Sequence, residues 1–394
     1  MMPTAPNAPS AYLDGYTRAR AFDQDGADNY LRHTTIGDPE LDPVMEELAG
    51  LPPADMHRFI AAGINAQAEV LCDAPRALRD FFEGIHGDPA WVDHESFEPG
   101  VRAFHANAIS IFGAFVAGTL IEGFATLISQ SFFMTGRVID KGVRRLRQNN
   151  RHQVEIFFPE GLRRENDGWK LSVRIRFVHA QVRRLLAHSG AWDEDVWGTP
   201  VSAANLGYAI ACFSARTLVH STALGARYSP EQHEGYCAVW RYVGHLMGIP
   251  ETILYTTEEE AQHMFRIGLL SEPDPTEESI VIANALINSA PLIAGISDPA
   301  QRSALVNRRI YPISRALVGS DLADRLRFPA STKLSSRRTL FLYRLDTRLK
   351  RNFPRLFKEK GSTMERVFEA SLYDPAGLTY GLPDHVDSGL SSHW

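Results

Sequence analysis

The chain has 394 residues, of which 44% are hydrophobic, enough apolar material for one large domain or two ordinary ones. Its formal net charge of -6 does not favour a general role in binding nucleic acid. The three cysteines are far apart and form no Cys-x-x-Cys pair. This spacing excludes a disulfide scaffold and a thiolate zinc site, and it is typical of a protein in a reducing compartment.

The N-terminal residues 1–30 are rich in proline, alanine and polar residues, which predicts a loose arm. They contain no charged segment followed by an apolar one and no twin-arginine pair. We therefore expect no signal peptide, and a cytoplasmic protein.

Helical patterns follow one another along most of the chain, beginning after a turn in the segment IGDPELD at residues 36–42. Alternating strand patterns are scarce, and the best candidate is the short segment HQVEIFF at residues 152–158. The sequence predicts an all-α protein with a single core, built by helix packing other than that of a regular bundle.

The most apolar segment, residues 108–136, carries a single charge, that of Glu122. Its length would allow a transmembrane helix. A carboxylate near the middle of such a helix would be costly in lipid, however. We therefore predict a buried central helix, or two joined helices, and no insertion of the chain into a membrane.

A polar cluster follows in the segment KGVRRLRQNNRHQ. Arg145, Gln148 and Asn149 fall on one helical face at steps of three and four residues. Buried polar groups need partners, so the cluster indicates a ligand, a water network or an ion. The alternative is a solvated basic face shared with Arg144 and Arg147.

The predicted helix at residues 170–188 carries a histidine beside an apolar stripe with helical spacing. Arg176 lies three residues before His179 and Arg183 four residues after it, so the three share a face. This arrangement suits an axial haem ligand flanked by arginines that bind the haem propionates. It also suits a core histidine with two arginines that extend their charged ends to water.

Two Glu-x-x-His pairs, Glu83 with His86 and Glu260 with His263, match part of the di-iron pattern of ferritin-like proteins, with Glu122 as a further ligand. Both pairs also have structural explanations. The first lies at a helix end, and Glu260 completes a capping box with Thr257.

The C-terminal region is basic, with sixteen Lys or Arg and four acidic residues between positions 302 and 360. Such a stretch can face an anionic membrane or nucleic acid, or it can form solvated helix faces that pair with acidic parts of the same protein. Residues 374–394 are rich in Gly, Pro and Ser, which predicts an irregular tail.

Several of these segments together resemble the latex-clearing proteins (rubber oxygenases) and the related MpaB-type oxygenases. The resemblance runs from residue 36 to about residue 267. It consists of the GDP turn with a following Asp, the RRL segment, the Arg-x-x-His helix, and the segments FSARTLVHSTALG and YCAVWRYVGHLMGIP in this order.

The resemblance implies an all-α fold with a globin-like core that binds haem b. It implies that His179 is the proximal iron ligand, that Arg176 is its motif partner, and that Arg145 is a distal-side arginine. Asn149 stands where the family commonly has threonine. Gln148 stands where a rubber oxygenase has a lysine able to reach the distal iron, so the sixth iron position is expected to be open or filled by water. Glu122 is the candidate for the catalytic carboxylate.

Residues 31–373 are accordingly expected to form one haem-dependent oxygenase domain. The expected reaction is cleavage of a carbon–carbon double bond in a lipophilic terpenoid, polyketide or lipid by O2. A peroxidase or peroxygenase, a non-enzymatic protein that binds a lipophile or a membrane, and a di-iron oxidase are the alternatives.

Overall fold

The computed structural model describes residues 8–135, 142–293, 295–352, 382, 383 and 386, and for residues 142–146, 350 and 351 it describes the backbone alone. In these parts of the chain the regular elements are helices, and no strand occurs. The predicted all-α fold is therefore confirmed.

Twenty-one α-helices follow one another in the described part of the chain. The first eleven are α1 (Leu13–Phe22), α2 (Gln24–His33), α3 (Asp42–Leu48), α4 (Pro53–Ile64), α5 (Ala68–Leu71), α6 (Arg76–Ile85), α7 (Glu98–Ala114), α8 (Leu120–Phe124), α9 (Ile128–Met134), α10 (Gly142–Ile156) and α11 (Asp167–Ala187). The remainder are α12 (Glu194–Trp197), α13 (Ala203–Ala211), α14 (Thr217–Ala223), α15 (Pro230–Leu246), α16 (Glu258–Ser271), α17 (Glu277–Ile293), α18 (Pro299–Leu305), α19 (Tyr311–Val318), α20 (Ser320–Arg325) and α21 (Lys333–Asn352).

The described part of the N-terminal region differs from the predicted loose arm. Residues 13–33 form α1 and α2, which pack against α16. Tyr30 is buried and donates a hydrogen bond of 2.7 Å to the buried carboxylate of Glu272. Asn205 and the backbone amide of Leu127 also donate to this carboxylate. A composition-based prediction could not foresee this polar network, because its partners lie far away in the sequence.

The segment at residues 152–158, the best strand candidate in the sequence, does not form a strand. This segment forms the end of α10 and the turn that follows it. The apolar residues there, among them Val154 and Phe157, are buried by packing with other helices, so the local alternation reflects a helix buried on more than one side.

The centre of the core is a close crossing of α7 and α15. A Cβ atom at Gly235 would lie 2.6 Å from the backbone nitrogen of Gly100, and a Cβ atom at Gly100 would collide with the backbone at Gly235. Both positions therefore need glycine. The rings of Phe104, Phe157 and Tyr236 stack beside this crossing, with centroids 4.8 and 4.7 Å apart.

The apolar segment around Glu122 forms a mostly buried helical run, as predicted. The run α7 to α8 is interrupted by a π-helical segment, Phe115–Thr119. By length and composition, the described stretch His94–Phe124 is long and apolar enough to cross a membrane, but 61% of its apolar window is buried in the protein. A second π-helical segment, Cys212–Arg216, packs against the first, and Thr119 and Thr217 share a hydrogen bond of 2.9 Å beside them.

We predict that Gly235→Ala lowers the free energy of unfolding by about 1–3 kcal/mol, because the added methyl group meets the backbone of α7. Gly84→Ala is the matched control, since a Cβ atom at Gly84 in α6 meets no atom within 4 Å. It should raise stability by up to about 1 kcal/mol. Urea denaturation of both variants tests the crossing, and equal stability of the two variants would contradict it.

Candidate active site

A largely apolar cavity lies between α8, α9, α10, α11 and α13, and its empty space, with the open space at its mouth, amounts to about 1070 Å³. Five of its nineteen lining residues have polar side chains. Cavities lined mainly by apolar side chains, with a few polar groups among them, are the usual binding sites for small molecules and cofactors. The polar lining residues are Ser131, Thr135, Asn149, His152 and His179.

His179 reaches the cavity from α11, which spans the predicted helix almost residue for residue. Ile175, Val178 and Val182 of the same helix also line the cavity. These four positions share one side of the helix at steps of three and four residues. The apolar stripe seen in the sequence is therefore the wall of a cavity, and the imidazole lies at the edge of that wall.

Arg176 lies outside the cavity wall, although the sequence places it on the same face as His179. Its guanidinium group is buried and binds the carboxylate of Asp38 through two hydrogen bonds, of 2.5 and 2.7 Å. A third hydrogen bond, of 2.7 Å, joins it to Glu40. Burial opposes the charge on Arg176, but these carboxylates outweigh burial and raise its pKa. The guanidinium group thus already has anionic partners within the protein.

Arg183 is likewise committed to the protein rather than to the cavity. It forms an ion pair with Asp42 and donates hydrogen bonds to the carbonyl oxygens of Pro200 and Val201. Val201 lines the cavity in a left-handed backbone conformation, with φ at 49°, which is costly for a β-branched residue. Arg183 therefore stabilises a strained part of the cavity wall.

Glycine packs tightly over both ion pairs. A Cβ atom at Gly37 would collide with Asp42 and Arg183, and one at Gly248 would collide with Asp38 and Arg176. Gly248 also has a φ of 76°, which favours glycine. The GDP turn, the Arg-x-x-His helix and the MGIP segment therefore meet at one place, which explains why they occur together.

Glu122 is buried on α8, but it is not among the residues that line the cavity. Its carboxylate accepts hydrogen bonds of 3.0 and 2.6 Å from Arg216 and lies 3.0 Å from Nε2 of His220. Burial tends to raise the pKa of Glu122, but the attraction and hydrogen bonding of His220 and Arg216 lower it to about 2. A carboxylate of such low basicity is poorly suited to removing a proton from substrate. The geometry favours a structural role that joins α8 to α14.

The predicted cluster on α10 is only partly brought to the cavity. Asn149 lines it, whereas Gln148 is half-buried and is not among the lining residues. The side chain of Arg145 lies outside the described residues, so its predicted role stays a prediction.

Sequence reasoning missed His152, the next polar residue on the cavity side of α10. Burial lowers the pKa of His152 to about 3, so the ring is neutral at physiological pH. Its Nε2 lies 2.9 Å from Oγ of Ser172, and that hydroxyl donates its only proton to the carbonyl of Gly168. Nε2 must therefore be the donor to Ser172, which leaves Nδ1 as a hydrogen-bond acceptor. His152 follows Asn149 by three residues, which puts both on one face of α10, and this spacing could have identified His152 from the sequence.

The hydroxyl of Ser131 was also missed. It is buried on α9, lines the cavity and has no hydrogen-bond partner among the residues the structure describes. A buried hydroxyl that no described residue satisfies indicates a ligand or an ordered water next to it. Thr135, one turn further along the chain, also lines the cavity, while its own hydroxyl is hydrogen-bonded to the carbonyl of Ser131.

The Glu-x-x-His pairs do not meet. His86 contacts Arg164 at 2.8 Å, and His263 contacts Asp23 at 2.7 Å. Glu260 accepts a hydrogen bond from the backbone of Thr256 at the start of α16. In the described part of the chain, no group of three His, Cys, Asp or Glu side chains is placed to hold a metal ion. The di-iron interpretation therefore has no geometric support here.

The family model described as "ER-bound oxygenase mpaB/B'/Rubber oxygenase, catalytic domain" matches residues 102–350. The chain belongs to this family. Its all-helical fold and its membership of an oxygenase family are both in line with the resemblance carried by the motifs.

Two individual proteins are similar to this member of the family. The rubber oxygenase of Streptomyces sp. (strain K30) is 23% identical over 302 residues, which cover 73% of this chain and 70% of that protein. The solved structure of the latex clearing protein LCP in the closed state superposes with a TM-score of 0.60 at 18% identity. It covers 89% of this chain and 94% of that one, and at this identity the likeness concerns the fold.

We predict that Glu122→Gln lowers the free energy of unfolding by about 3–5 kcal/mol at neutral pH, because it leaves Arg216 and His220 without their carboxylate. The pKa of Glu122 is lowered from 4.5 to about 2, so the charged carboxylate stabilises the fold above pH 4.5 and loses this effect as the pH falls towards 2. The difference between wild type and variant should shrink over that range.

Urea denaturation at a series of pH values measures this difference. Glu98→Gln, which removes an exposed partner of Arg102, is the control and should change stability little. A Glu122→Gln variant as stable as wild type at neutral pH would contradict the structural role. Glu122 would then again be a candidate for the catalytic base.

Proposed function

We propose that this chain is a haem b-dependent oxygenase that cleaves a carbon–carbon double bond of a lipophilic substrate with O2, and that His179 holds the iron. The observation that carries the proposal is the position of His179 on the wall of a largely apolar cavity, in a chain that belongs to an oxygenase family.

The residues of the cavity fit a haem group. Haem is a flat, mainly apolar molecule that is commonly held through an imidazole nitrogen. The cavity offers apolar side chains from four α-helices (α8, α9, α11 and α13), two imidazoles, and a buried hydroxyl of Ser131 that has no partner among the described residues. When bound, haem supplies the binding and activation of dioxygen.

The protein holds His179 in place through its own helix. Arg176 and Arg183 fix α11 to the loop at residues 38–42 by buried ion pairs. These ion pairs lie on a side of α11 that does not line the cavity. They therefore keep His179 oriented without help from a bound group. We therefore assign Arg176 and Arg183 a positioning role and do not assign them to the haem propionates.

The polar side chains of the cavity can form hydrogen bonds with a molecule bound there. Asn149 can donate through its amide, and Ser131 through its hydroxyl. His152 is neutral, so its Nδ1 can accept a hydrogen bond from a group in the cavity. These groups, rather than Glu122 or Gln148, are the candidates for stabilising developing charge next to the substrate.

The apolar wall selects the substrate class. Side chains such as Phe124, Phe132, Phe213 and Met247 bind hydrocarbon and exclude water. A terpenoid, a polyketide or a lipid with an isolated double bond meets this requirement. Cleavage of the double bond by one O2 molecule gives two carbonyl products, takes up both oxygen atoms and needs no added reductant.

We also propose a cytoplasmic location. What supports it is that Cys72, Cys212 and Cys237 are all free thiols, as expected in a reducing compartment.

We predict that His179→Ala takes up hemin at least about tenfold more weakly than wild type, because the substitution removes the proposed iron–imidazole bond. Absorption titration of the purified protein with hemin measures this loss. His263→Ala, a half-exposed histidine outside the cavity, is the matched control and should bind hemin like wild type.

The reaction is tested with the hemin-loaded wild type and an acyclic terpenoid alkene under isotopically labelled O2. Labelled oxygen in both carbonyl products supports the proposal. Product formation that depends on hydrogen peroxide and carries no label from O2 would assign the protein to the peroxygenases. Unchanged hemin binding by His179→Ala would overturn the assignment of the ligand.

A further inference from the structure

We propose that α21 (Lys333–Asn352) docks the protein onto an anionic lipid surface. The helix has two apolar faces. One face packs on the body of the protein, and the other is exposed and bordered by basic side chains. The proposal concerns binding at the membrane surface and goes beyond the reaction proposed above.

The exposed apolar face consists of large side chains. Leu334 is 78% exposed, Phe341 63% and Leu342 51%. Leu345 and Leu349 are 42% and 39% exposed. At 3.6 residues per turn, the five side chains fall within about 100° of the helix circumference. Single exposed leucines are ordinary, but a row of five on one helix face marks an interaction surface.

The opposite face already holds the helix in place. Leu340 and Tyr343 pack in a cluster with Ala114, Ala117 and Ile313. Ser336, also on this face, is buried and shares a hydrogen bond with Ser331. Because this face anchors α21 to the protein, the exposed leucines and Phe341 are not needed for folding and remain available to a partner.

The charges of α21 identify that partner. Arg337, Arg344 and Arg348 lie along one border of the exposed apolar face, together with Lys333, and Arg338 lies within it. None of these five side chains forms an ion pair with a described residue. Arg325 and Arg327, just before the helix, are by contrast paired with Asp274 and Glu277. Unpaired cations beside protruding apolar side chains complement anionic headgroups above a hydrocarbon layer.

A nucleic acid is a poorer match, because phosphate binding needs the cations but gives no favourable contact to Leu334, Phe341 or Leu345. The position of the helix also suits a lipid surface. Ala114 and Ala117, against which α21 packs, lie at the end of α7 and in the π-helical segment that leads into α8. Leu120, Gly123 and Phe124 of α8 line the cavity. Docking through α21 would therefore bring the cavity close to a membrane in which lipophilic molecules dissolve.

Sedimentation with vesicles tests the proposal. The full-length protein should bind vesicles of phosphatidylglycerol and phosphatidylcholine, and bind vesicles of phosphatidylcholine alone much more weakly. Raising the salt concentration should weaken the binding. Arg337→Gln with Arg338→Gln should weaken binding about 20- to 30-fold, since each basic residue near an anionic surface raises the binding constant about fivefold.

Phe341→Ser with Leu345→Ser should weaken binding at least about tenfold, because the buried apolar area is lost. Leu269→Ser with Val281→Ser is the matched control, since each of these side chains is 40% exposed on another helix. This control should bind like wild type. Helical content and unfolding midpoint should be unchanged in all three double variants, because each altered side chain is exposed.

Absence of sedimentation with anionic vesicles would overturn the proposal, as would binding that the Phe341→Ser, Leu345→Ser variant retains in full. A dimer in solution that this variant converts to a monomer, without any vesicle binding by wild type, would assign the face to a second copy of the chain instead.

Discussion

The buried ion pair between Arg176 and Asp38 is the interaction on which the site depends. Two hydrogen bonds join a guanidinium group and a carboxylate that are both almost fully inaccessible to water. Removing one partner of such a pair would leave an uncompensated buried charge, at a cost of about 3–5 kcal/mol. The pair also fixes geometry, because a guanidinium group and a carboxylate bind in one plane and in one register. It therefore sets the position of α11 relative to the loop at residues 38–42.

The helical repeat of α11 determines which of its side chains face the cavity. Arg176 and Arg183 lie on one side of α11, where they bind Asp38, Asp42 and the carbonyl of Val201. His179 lies between them in sequence but one step around the helix, at the cavity wall. The same contacts that anchor the helix thus orient the imidazole and hold the strained Val201 against the cavity. A histidine held in this way is preorganised for the iron-binding role proposed above.

The sequence allowed the helix of His179, the all-α fold and the family to be predicted, because each depends on local periodicity or on the order of several motifs. It did not reveal the partners of buried charges. The periodicity put Arg176 on the face of His179, whereas in the fold Arg176 lies outside the cavity wall and binds Asp38, 138 residues earlier in the chain. Glu122 was singled out for its apolar surroundings, and those surroundings contain Arg216 and His220, which are distant in the sequence. The N-terminal helices were missed for the same reason, since their stability comes from contacts with α16.

The absorption spectrum of the purified chain, produced in cells supplied with a haem precursor, is the measurement that shows whether the protein binds haem. It is recorded as isolated, after reduction with dithionite, and after addition of carbon monoxide. We expect a Soret band that shifts on reduction and again with carbon monoxide, as it would for a haem held by His179 that can bind a further ligand. A colourless protein that also fails to take up hemin in solution would contradict this expectation.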